Sequence, residues 1–140
     1  MIVITCDINA LVSGTYWSRD SFKVLDMVDN GEIENIISHE IISDYNEACD
    51  SDEIIEKVAR HNLIPLKTRE KIPSMSKLVH PKEKLKVVKD DPDDDKIVEA
   101  AVEGKADYII TYDNHLLKLK EFRGIKIVAP KEFLDILNQK

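Results

Sequence analysis

The sequence predicts an α/β protein that forms a single domain over residues 1–140, with a mostly parallel central sheet and helices on both faces. Short apolar runs rich in β-branched residues alternate along the chain with segments of helical periodicity. Helices between successive strands imply crossover connections, and crossovers join parallel strands. A length of 140 residues suits one hydrophobic core and leaves little room for a second.

The first half of the chain contains two predicted strands and three predicted helices. Residues 2–6 form a β-branched run typical of a strand buried on both faces. A helix then ends at Gly31, a good C-terminal stop, and residues 33–37 form the second strand. Ser38 and Ser51 are favourable N-caps, so two further helices should follow in succession.

Residues 63–88 contain three prolines and little periodicity, so we predict only helix fragments and loops there. The Asp91-Pro92 pair then predicts a helix start, with Asp91 as N-cap and Pro92 in the first position, and Gly104 ends that helix.

The last part of the chain returns to strand and helix. Residues 108–111 and 125–128 are short apolar runs that predict strands. Pro130 then opens a terminal helix that carries apolar residues at helical spacing. This alternation completes the α/β pattern.

Composition excludes several classes of protein. No apolar run approaches the roughly 20 residues that span a bilayer, and no basic region precedes the first apolar run. We therefore expect a cytoplasmic protein without a membrane segment. The only two cysteines, Cys6 and Cys49, stand far apart, which predicts neither a disulfide framework nor a zinc site.

The charge is unevenly distributed. A formal net charge of −7 argues against a protein that binds nucleic acid by simple charge neutralisation. Residues 67–89, however, carry a net charge of +6 and form the only sizeable positive segment. We expect this segment to lie along a substrate groove, with Lys82, Lys84 and Lys86 as contacts to an anionic substrate, although a solvated lysine-rich edge is the simpler interpretation.

Aspartates follow two of the predicted strands. Asp7 and Asp113 each come directly after a strand, and ligands of open α/β sheets bind beyond the carboxyl ends of the strands. Asp95 lies at the edge of the apolar stripe of its predicted helix, and Asp44 lies one turn beyond Ile41. Clustered carboxylates suit Mg²⁺ or Mn²⁺, so these four aspartates are the candidate metal ligands.

Each residue also has a simpler interpretation. An aspartate after a strand is often only a turn or cap residue. Asp93 and Asp94 are expected only to favour the positive end of a helix dipole, and His115 is expected to face solvent. The prediction of a metal site therefore depends on the combination of the four aspartates and not on any one of them.

The chain resembles the PIN domains, including VapC-type toxin ribonucleases. Four motifs carry the resemblance, in this order: Asp7-Ile8-Asn9, Ser38-His39-Glu40-Ile41-Ile42-Ser43-Asp44-Tyr45, Asp91-Pro92-Asp93-Asp94-Asp95-Lys96 and Ala106-Asp107-Tyr108-Ile109-Ile110-Thr111-Tyr112-Asp113. The eighteen positions from Asp95 to Asp113 match the spacing in the family and favour Asp95 over its neighbours. The resemblance implies that Asp7, Asp44, Asp95 and Asp113 are the catalytic, metal-binding acids, with Asn9 and Thr111 as supporting polar groups.

One position departs from the family pattern. The second acid of PIN domains is usually Glu, whereas the matching residue here is Asp44. Its shorter side chain leaves open whether Glu40 or Glu47 takes its place.

The resemblance also implies an activity. It predicts that a metal-activated water hydrolyses phosphodiester bonds of single-stranded RNA and leaves a 5′ phosphate, with no protein nucleophile. The implied partners are the RNA substrate, a second copy of the chain in a homodimer and an antitoxin protein. A toxin role stays open, because PIN domains also serve in RNA processing.

Two other functions compete with this one. A phosphoacceptor signalling domain also places aspartates at strand ends, but it pairs acids beside the first strand and needs a lysine after the last. A PIN-like scaffold that binds RNA or a partner without cleaving is the second alternative, and Asp44 is the residue that raises it.

Overall fold

A computed structural model describes residues 1–139 and contains a six-stranded sheet. The strands are β1 (Ile2–Cys6), β2 (Ile33–Ile37), β3 (Lys77–Leu78), β4 (Tyr108–Ile110), β5 (Glu121–Phe122) and β6 (Ile125–Val128). The helices are α1 (Ile8–Tyr16), α2 (Arg19–Asp29), α3 (His39–Cys49), α4 (Asp52–Arg60), α5 (Lys71–Ser74), α6 (Asp95–Glu103), α7 (Asn114–Leu117) and α8 (Pro130–Asn138).

The strand order places a topological switch point at the centre of the sheet. The order is β3-β2-β1-β4-β6-β5, and every pairing is parallel except that of β5 with β6. From β1 the chain proceeds to β2 on one side, whereas β4 lies on the other. Open α/β sheets bind their ligands at such a point, beyond the carboxyl ends of the strands.

The two central strands are buried on both faces. In β1 the side chains of Ile4 and Cys6 are buried, and in β4 those of Ile109 and Ile110 are buried as well. Their continuous apolar character is what a parallel sheet between two helical layers requires. The predicted fold class, a mostly parallel α/β sheet, is therefore confirmed.

The predicted caps in the first half of the chain are present. Ser38 accepts a hydrogen bond from the Ile41 N–H at 3.3 Å, and Ser51 accepts one from the Ile54 N–H at 3.3 Å. These bonds satisfy N–H groups that have no partner inside the helix, so α3 and α4 begin where the sequence predicts.

Helix α1 was not predicted. Residues 10–15 are buried all round its axis, so the segment has no polar face from which a helical period could be recognised. Strands β3 and β5 were missed for a different reason. Each is only two residues long, which is too short to show an alternating pattern.

The helix start at Asp91-Pro92 differs from the prediction. Pro92–Asp94 form a single 3₁₀ turn, and α6 itself begins at Asp95. The side chain of Asp91 makes no capping hydrogen bond in the part of the chain that the structure describes. Its carboxylate is therefore available for other contacts.

The irregular 79–88 segment is bound along α6 by carboxylates. Asp95, Glu99 and Glu103 are spaced four residues apart and therefore lie on one face of the helix. They accept the following backbone N–H bonds: Asp95 from Val87 at 3.0 Å and Val88 at 2.8 Å, Glu99 from Leu85 at 2.8 Å, and Glu103 from Lys82 at 3.0 Å. These bonds fix the path of the lysine-bearing 79–88 segment.

Two remaining expectations concern cysteines and membrane segments. Cys6 and Cys49 are both buried and form no disulfide. No helix within residues 1–139 is long and apolar enough to cross a membrane.

Candidate metal centre

Asp7 lies at the carboxyl end of β1 and is almost fully buried, with 3% of its surface exposed. Its backbone N–H donates to the Ile110 carbonyl at 3.0 Å, which joins the ends of β1 and β4. Its Oδ1 accepts from the Ala10 N–H at 2.8 Å and so caps α1, while Oδ2 accepts from the Thr111 hydroxyl. The carboxylate is thus held in one orientation at the switch point.

Thr111 connects the two strand-end aspartates. Its buried Oγ1 donates to Asp7 and accepts from the backbone N–H of Asp113 at 2.9 Å. A single hydroxyl therefore fixes both the side chain after β1 and the backbone after β4, which is the position that the sequence assigned to a supporting polar group.

Asp113 caps the short helix α7 and lies beside two other potential ligands. Its Oδ1 accepts from the His115 N–H at 2.7 Å, and the same oxygen is 3.6 Å from His115 Nδ1. Asp91, Asp113 and His115 each offer one ligand atom, and these atoms lie within 4.8 Å of one another. The 3₁₀ turn thus brings Asp91 to the end of β4.

Asp94 completes the cluster. Burial raises the pKa of its carboxyl to about 8, helped by contact with the Asp113 carboxyl and by the charges of Asp91 and Asp7. Its Oδ2 is buried and has no hydrogen-bond partner within residues 1–139. Buried carboxylate oxygens are almost always paired, and the Asp113 carboxyl can share a hydrogen bond with Asp94 only through a proton, so the ionised pair lacks a donor or a cation.

The charge on Asp7 is disfavoured in the same way. Burial raises the pKa of its carboxyl to about 6, the Asp113 charge adds to this, and the hydrogen bonds from Thr111 and Ala10 oppose it. Two carboxylates whose charged form is disfavoured, those of Asp7 and Asp94, thus lie near Asp113. We call Asp7, Asp91, Asp94 and Asp113 the acid cluster.

A divalent cation fits the acid cluster. It would remove the repulsion among the carboxylates and provide the partner that Asp94 Oδ2 lacks. The donors are carboxylate oxygens, which suit Mg²⁺ or Mn²⁺, and the neighbouring imidazole of His115 suits Mn²⁺ better than Mg²⁺.

The structure does not bring Asp95 to the acid cluster. The sequence placed this carboxylate in the crevice, but its Oδ1 accepts the backbone N–H bonds of Val87 and Val88 instead. Adjacent residues of a helix point about 100° apart, so Asp94 and Asp95 point in different directions from the turn. Asp95 therefore anchors the 79–88 segment, while Asp94, expected only to favour the helix dipole, faces Asp113.

Asp44 forms an ion pair with Lys96 and is half-buried. Neither glutamate considered as its substitute reaches the acid cluster as a ligand: Glu40 is exposed and lies 3.7 Å from the Lys84 ammonium, and Glu47 is exposed. The second predicted acid is thus engaged by a lysine. Asn9 is exposed on the first turn of α1, two residues beyond Asp7.

A groove with a volume of about 670 Å³ adjoins the 3₁₀ turn that carries Asp94. Four lysines and four acids share its wall with Pro92: Lys84, Lys86, Lys89 and Lys96, and Glu40, Asp93, Asp95 and Glu99. Lys82, also predicted to contact RNA, lines a different depression on the far side of the 79–88 segment.

The positive segment is thus divided in space. Lys67 lies 3.2 Å from Asp26 and 3.1 Å from Asp29, and Lys71 lies 3.0 Å from Asp29, so these lysines are neutralised by α2. Only the later lysines of the segment face the groove.

The fold and the acid cluster together define a metal-binding α/β protein. A family model described as PIN domain matches residues 3–115, which is most of the chain. No curated protein and no solved structure matches. The chain belongs to the PIN domain family, as its motifs predicted. PIN domains are generally hydrolases that cut nucleic acid, typically RNA, with divalent metal ions.

Two members of the acid cluster were missed by the sequence analysis. Asp91 was assigned to capping and Asp94 to the helix dipole, because both roles are usual at a helix start. One signal was present in the sequence: three successive aspartates at residues 93–95 exceed what one helix terminus needs. The spacing to Asp113 favoured Asp95 among the three, whereas Asp94 is the one beside the Asp113 carboxyl.

The raised pKa values predict how the stability of the metal-free protein depends on pH. An unfolded aspartate has a pKa near 4, whereas Asp7 and Asp94 have values of about 6 and about 8 in the folded protein. Between these limits the folded state binds more protons, so the free energy of unfolding should fall as pH rises from about 4 to about 8. Urea unfolding in the presence of a chelator measures this.

Asp94→Asn supplies the comparison. It should remove the part of the decline between about pH 6 and 8, and it should be more stable than the parent protein at pH 8. Equal slopes for the two proteins in this range would contradict the placement of Asp94 in the acid cluster.

Proposed function

We propose that the chain is a metal-dependent endoribonuclease that hydrolyses phosphodiester bonds of single-stranded RNA at the acid cluster. The observation that carries the proposal is the buried, unpartnered Oδ2 of Asp94 beside the Asp113 carboxyl. A carboxylate in that position gains most from a cation, and the cation in turn allows an acidic protein to accept an anionic substrate.

The proposed ligands are Asp7, Asp94 and Asp113. Asp91 and His115 lie near Asp113 on the more exposed side of the acid cluster. The chemistry supplied by a bound Mg²⁺ or Mn²⁺ is the activation of a water molecule and the stabilisation of charge on the phosphate. The chain's own contribution is orientation: Thr111 holds Asp7 and the Asp113 backbone, so two ligands keep their geometry without the ion.

The lysines of the groove are proposed to bind the phosphates on one side of the scissile bond. Lys86 and Lys89 make no ion pair within the described chain, and Lys84 is largely exposed. A groove open to solvent admits a single strand, whose phosphates these ammonium groups would neutralise.

Asp44 is proposed to act at the rim of this groove. Its ion pair with Lys96, which also lines the groove, would orient that ammonium group towards the substrate. In this arrangement Asp44 affects the positioning of the substrate more than the affinity for metal.

Three finer proposals come from the resemblance alone. The chain is proposed to act in the cytoplasm as the toxin of a toxin–antitoxin pair and to form a homodimer. The exposed apolar side chains of Ile55, Ile64 and Leu66 are a surface that a second copy or an antitoxin would cover. Processing of cellular RNA is the alternative role for the same reaction.

Replacement of neighbouring aspartates tests the proposed ligands. Asp94→Asn should nearly abolish cleavage of a defined single-stranded RNA in Mn²⁺, because it removes a ligand. Asp95→Asn should retain most of the activity but lower the stability by about 1 to 3 kcal/mol, because two backbone N–H groups lose a charged acceptor. Single-turnover cleavage assays and urea unfolding measure the two effects.

The two variants differ by one position and remove the same charge, so each is the control for the other. Loss of cleavage in Asp95→Asn with full activity in Asp94→Asn would show that the ligand is the one predicted from sequence. Full activity in Asp7→Asn, Asp94→Asn and Asp113→Asn alike would assign the observed cleavage to a contaminant.

The lysines provide a second matched test. Changing Lys84, Lys86 and Lys89 to Gln should weaken RNA binding and reduce the slope of log affinity against log salt by up to about 2, since each phosphate contact in single strands contributes about 0.7. Lys82→Gln, on the other side of the 79–88 segment, should leave the slope unchanged. Fluorescence anisotropy at several salt concentrations measures it, and an unchanged slope in the triple variant would remove the lysines from the substrate path.

A further inference from the structure

A second pocket is lined partly by α1 and shares no residue with the groove that carries the lysines. It has a volume of about 550 Å³, within the range of small-ligand sites. Its walls come from α1, α4 and the residue after Thr111, and the side chains that matter are Asn9, Ser13, Trp17, Ser18, Lys57 and Tyr112. We call it the aromatic pocket.

Two residues of the aromatic pocket are near neighbours in sequence of the acid cluster. Tyr112 immediately precedes Asp113, and Asn9 lies two residues beyond Asp7. Consecutive Cα atoms are 3.8 Å apart, so the backbone that carries Tyr112 lies within one residue of Asp113. This places the wall of the pocket within the span of a nucleotide whose phosphate is at the acid cluster.

Tyr112 is held as a fixed aromatic surface. Its hydroxyl is 2.8 Å from Ser18 Oγ and accepts a hydrogen bond from Ser21 Oγ at 3.0 Å. Ser21 Oγ in turn accepts from Ser13 Oγ at 3.2 Å. The hydroxyl is thus satisfied inside the protein while the residue remains 41% exposed, an arrangement that orients a ring for stacking.

Trp17 and Lys57 form the opposite part of the pocket. The Lys57 ammonium lies 3.7 Å from the centre of the Trp17 ring, a close cation–π contact. This places a positive charge, opposed by Glu53 in the same wall, next to an aromatic surface. Aromatic rings combined with cations are the usual means of holding single-stranded nucleic acid.

We propose that the aromatic pocket binds the nucleobase adjacent to the scissile phosphate, stacked on Tyr112, with Trp17 and Lys57 as its far wall. The inference rests on the proposed ribonuclease function and adds the path of the strand: lysines bind phosphates on one side of the acid cluster, and a base is held on the other. The exposed amide of Asn9 and the ammonium of Lys57 favour a polar, planar base over an apolar side chain of a protein partner.

Trp17 gives a direct readout, because it is the only tryptophan in the chain. Single-stranded RNA, labelled at one end, is titrated into Asp94→Asn protein with Mn²⁺, so that binding is measured without cleavage. Anisotropy of the label reports binding, and Trp17 fluorescence reports occupation of the pocket. We expect Trp17 fluorescence to change with the same midpoint as the anisotropy.

Substitutions at Tyr112 separate stacking from structure. Tyr112→Ala should weaken RNA binding by about 5- to 150-fold, the range that corresponds to one stacked base. Tyr112→Phe keeps the ring and loses only the hydroxyl, so its affinity should remain within about 3-fold of that of the Tyr112 protein.

RNA with a single abasic nucleotide makes the test independent of how any variant folds. One abasic position, next to the scissile phosphate, should abolish the change in Trp17 fluorescence, and the other positions should preserve it. RNA that binds with unchanged Trp17 fluorescence, or with equal affinity at every abasic position, would overturn the base pocket and leave the ribonuclease proposal intact.

Absence of RNA binding and of cleavage in the Asp94 protein would overturn both. An apolar peptide that alone changes Trp17 fluorescence would assign the pocket to a protein partner.

Discussion

The mutual repulsion of carboxylates at the carboxyl ends of β1 and β4 is the constraint on which the rest of the site depends. Hydrogen bonds from Thr111 and Ala10 hold the Asp7 carboxylate, and Thr111 also holds the Asp113 backbone. Both aspartates therefore stay in place while the 3₁₀ turn brings Asp94 beside them. The folded chain therefore stores an unfavourable charge arrangement that binding of a divalent cation relieves. Sites that combine functional charges in this way are less stable when empty, and the buried α/β scaffold beneath them offsets that cost.

A cation in the acid cluster would also offset the net charge of −7 for the proposed RNA substrate. The positive charge available to a substrate is local: it lies in the 79–88 segment and at Lys89, bound along α6 by the carboxylates of Asp95, Glu99 and Glu103. These acids accept hydrogen bonds from backbone N–H groups of the segment, so they form no ion pairs with its lysine side chains. The proposed strand path then runs from this groove, across the metal ligands, to the ring of Tyr112.

The sequence predicted the sheet, its parallel pairing and both strand-end aspartates, because β-branched runs and polar strand ends are local features with few alternatives. Among Asp93, Asp94 and Asp95 it selected Asp95, whereas the structure brings Asp94 beside Asp113. That choice depends on where the 3₁₀ turn gives way to α6, a boundary that shifts each side chain by about 100° and leaves no pattern in composition. Asp91 was missed because capping explains an aspartate before proline equally well. The aromatic pocket could not be predicted, since Trp17 and Tyr112 are distant in sequence and line one pocket only in the folded chain.

The central claim is that the metal binds among Asp7, Asp94 and Asp113, and its most direct test is the position of Mn²⁺ in a crystal of the protein. Anomalous scattering locates the ion without reference to activity or to any mutation. We predict a peak within about 2.0 to 2.6 Å of a carboxylate oxygen of Asp94, the usual range for hard divalent ions bound to oxygen, and in contact with Asp7 or Asp113. A peak bound by Asp95 or Asp44 and not by Asp94, or no peak at this edge of the sheet at saturating Mn²⁺, would contradict the account.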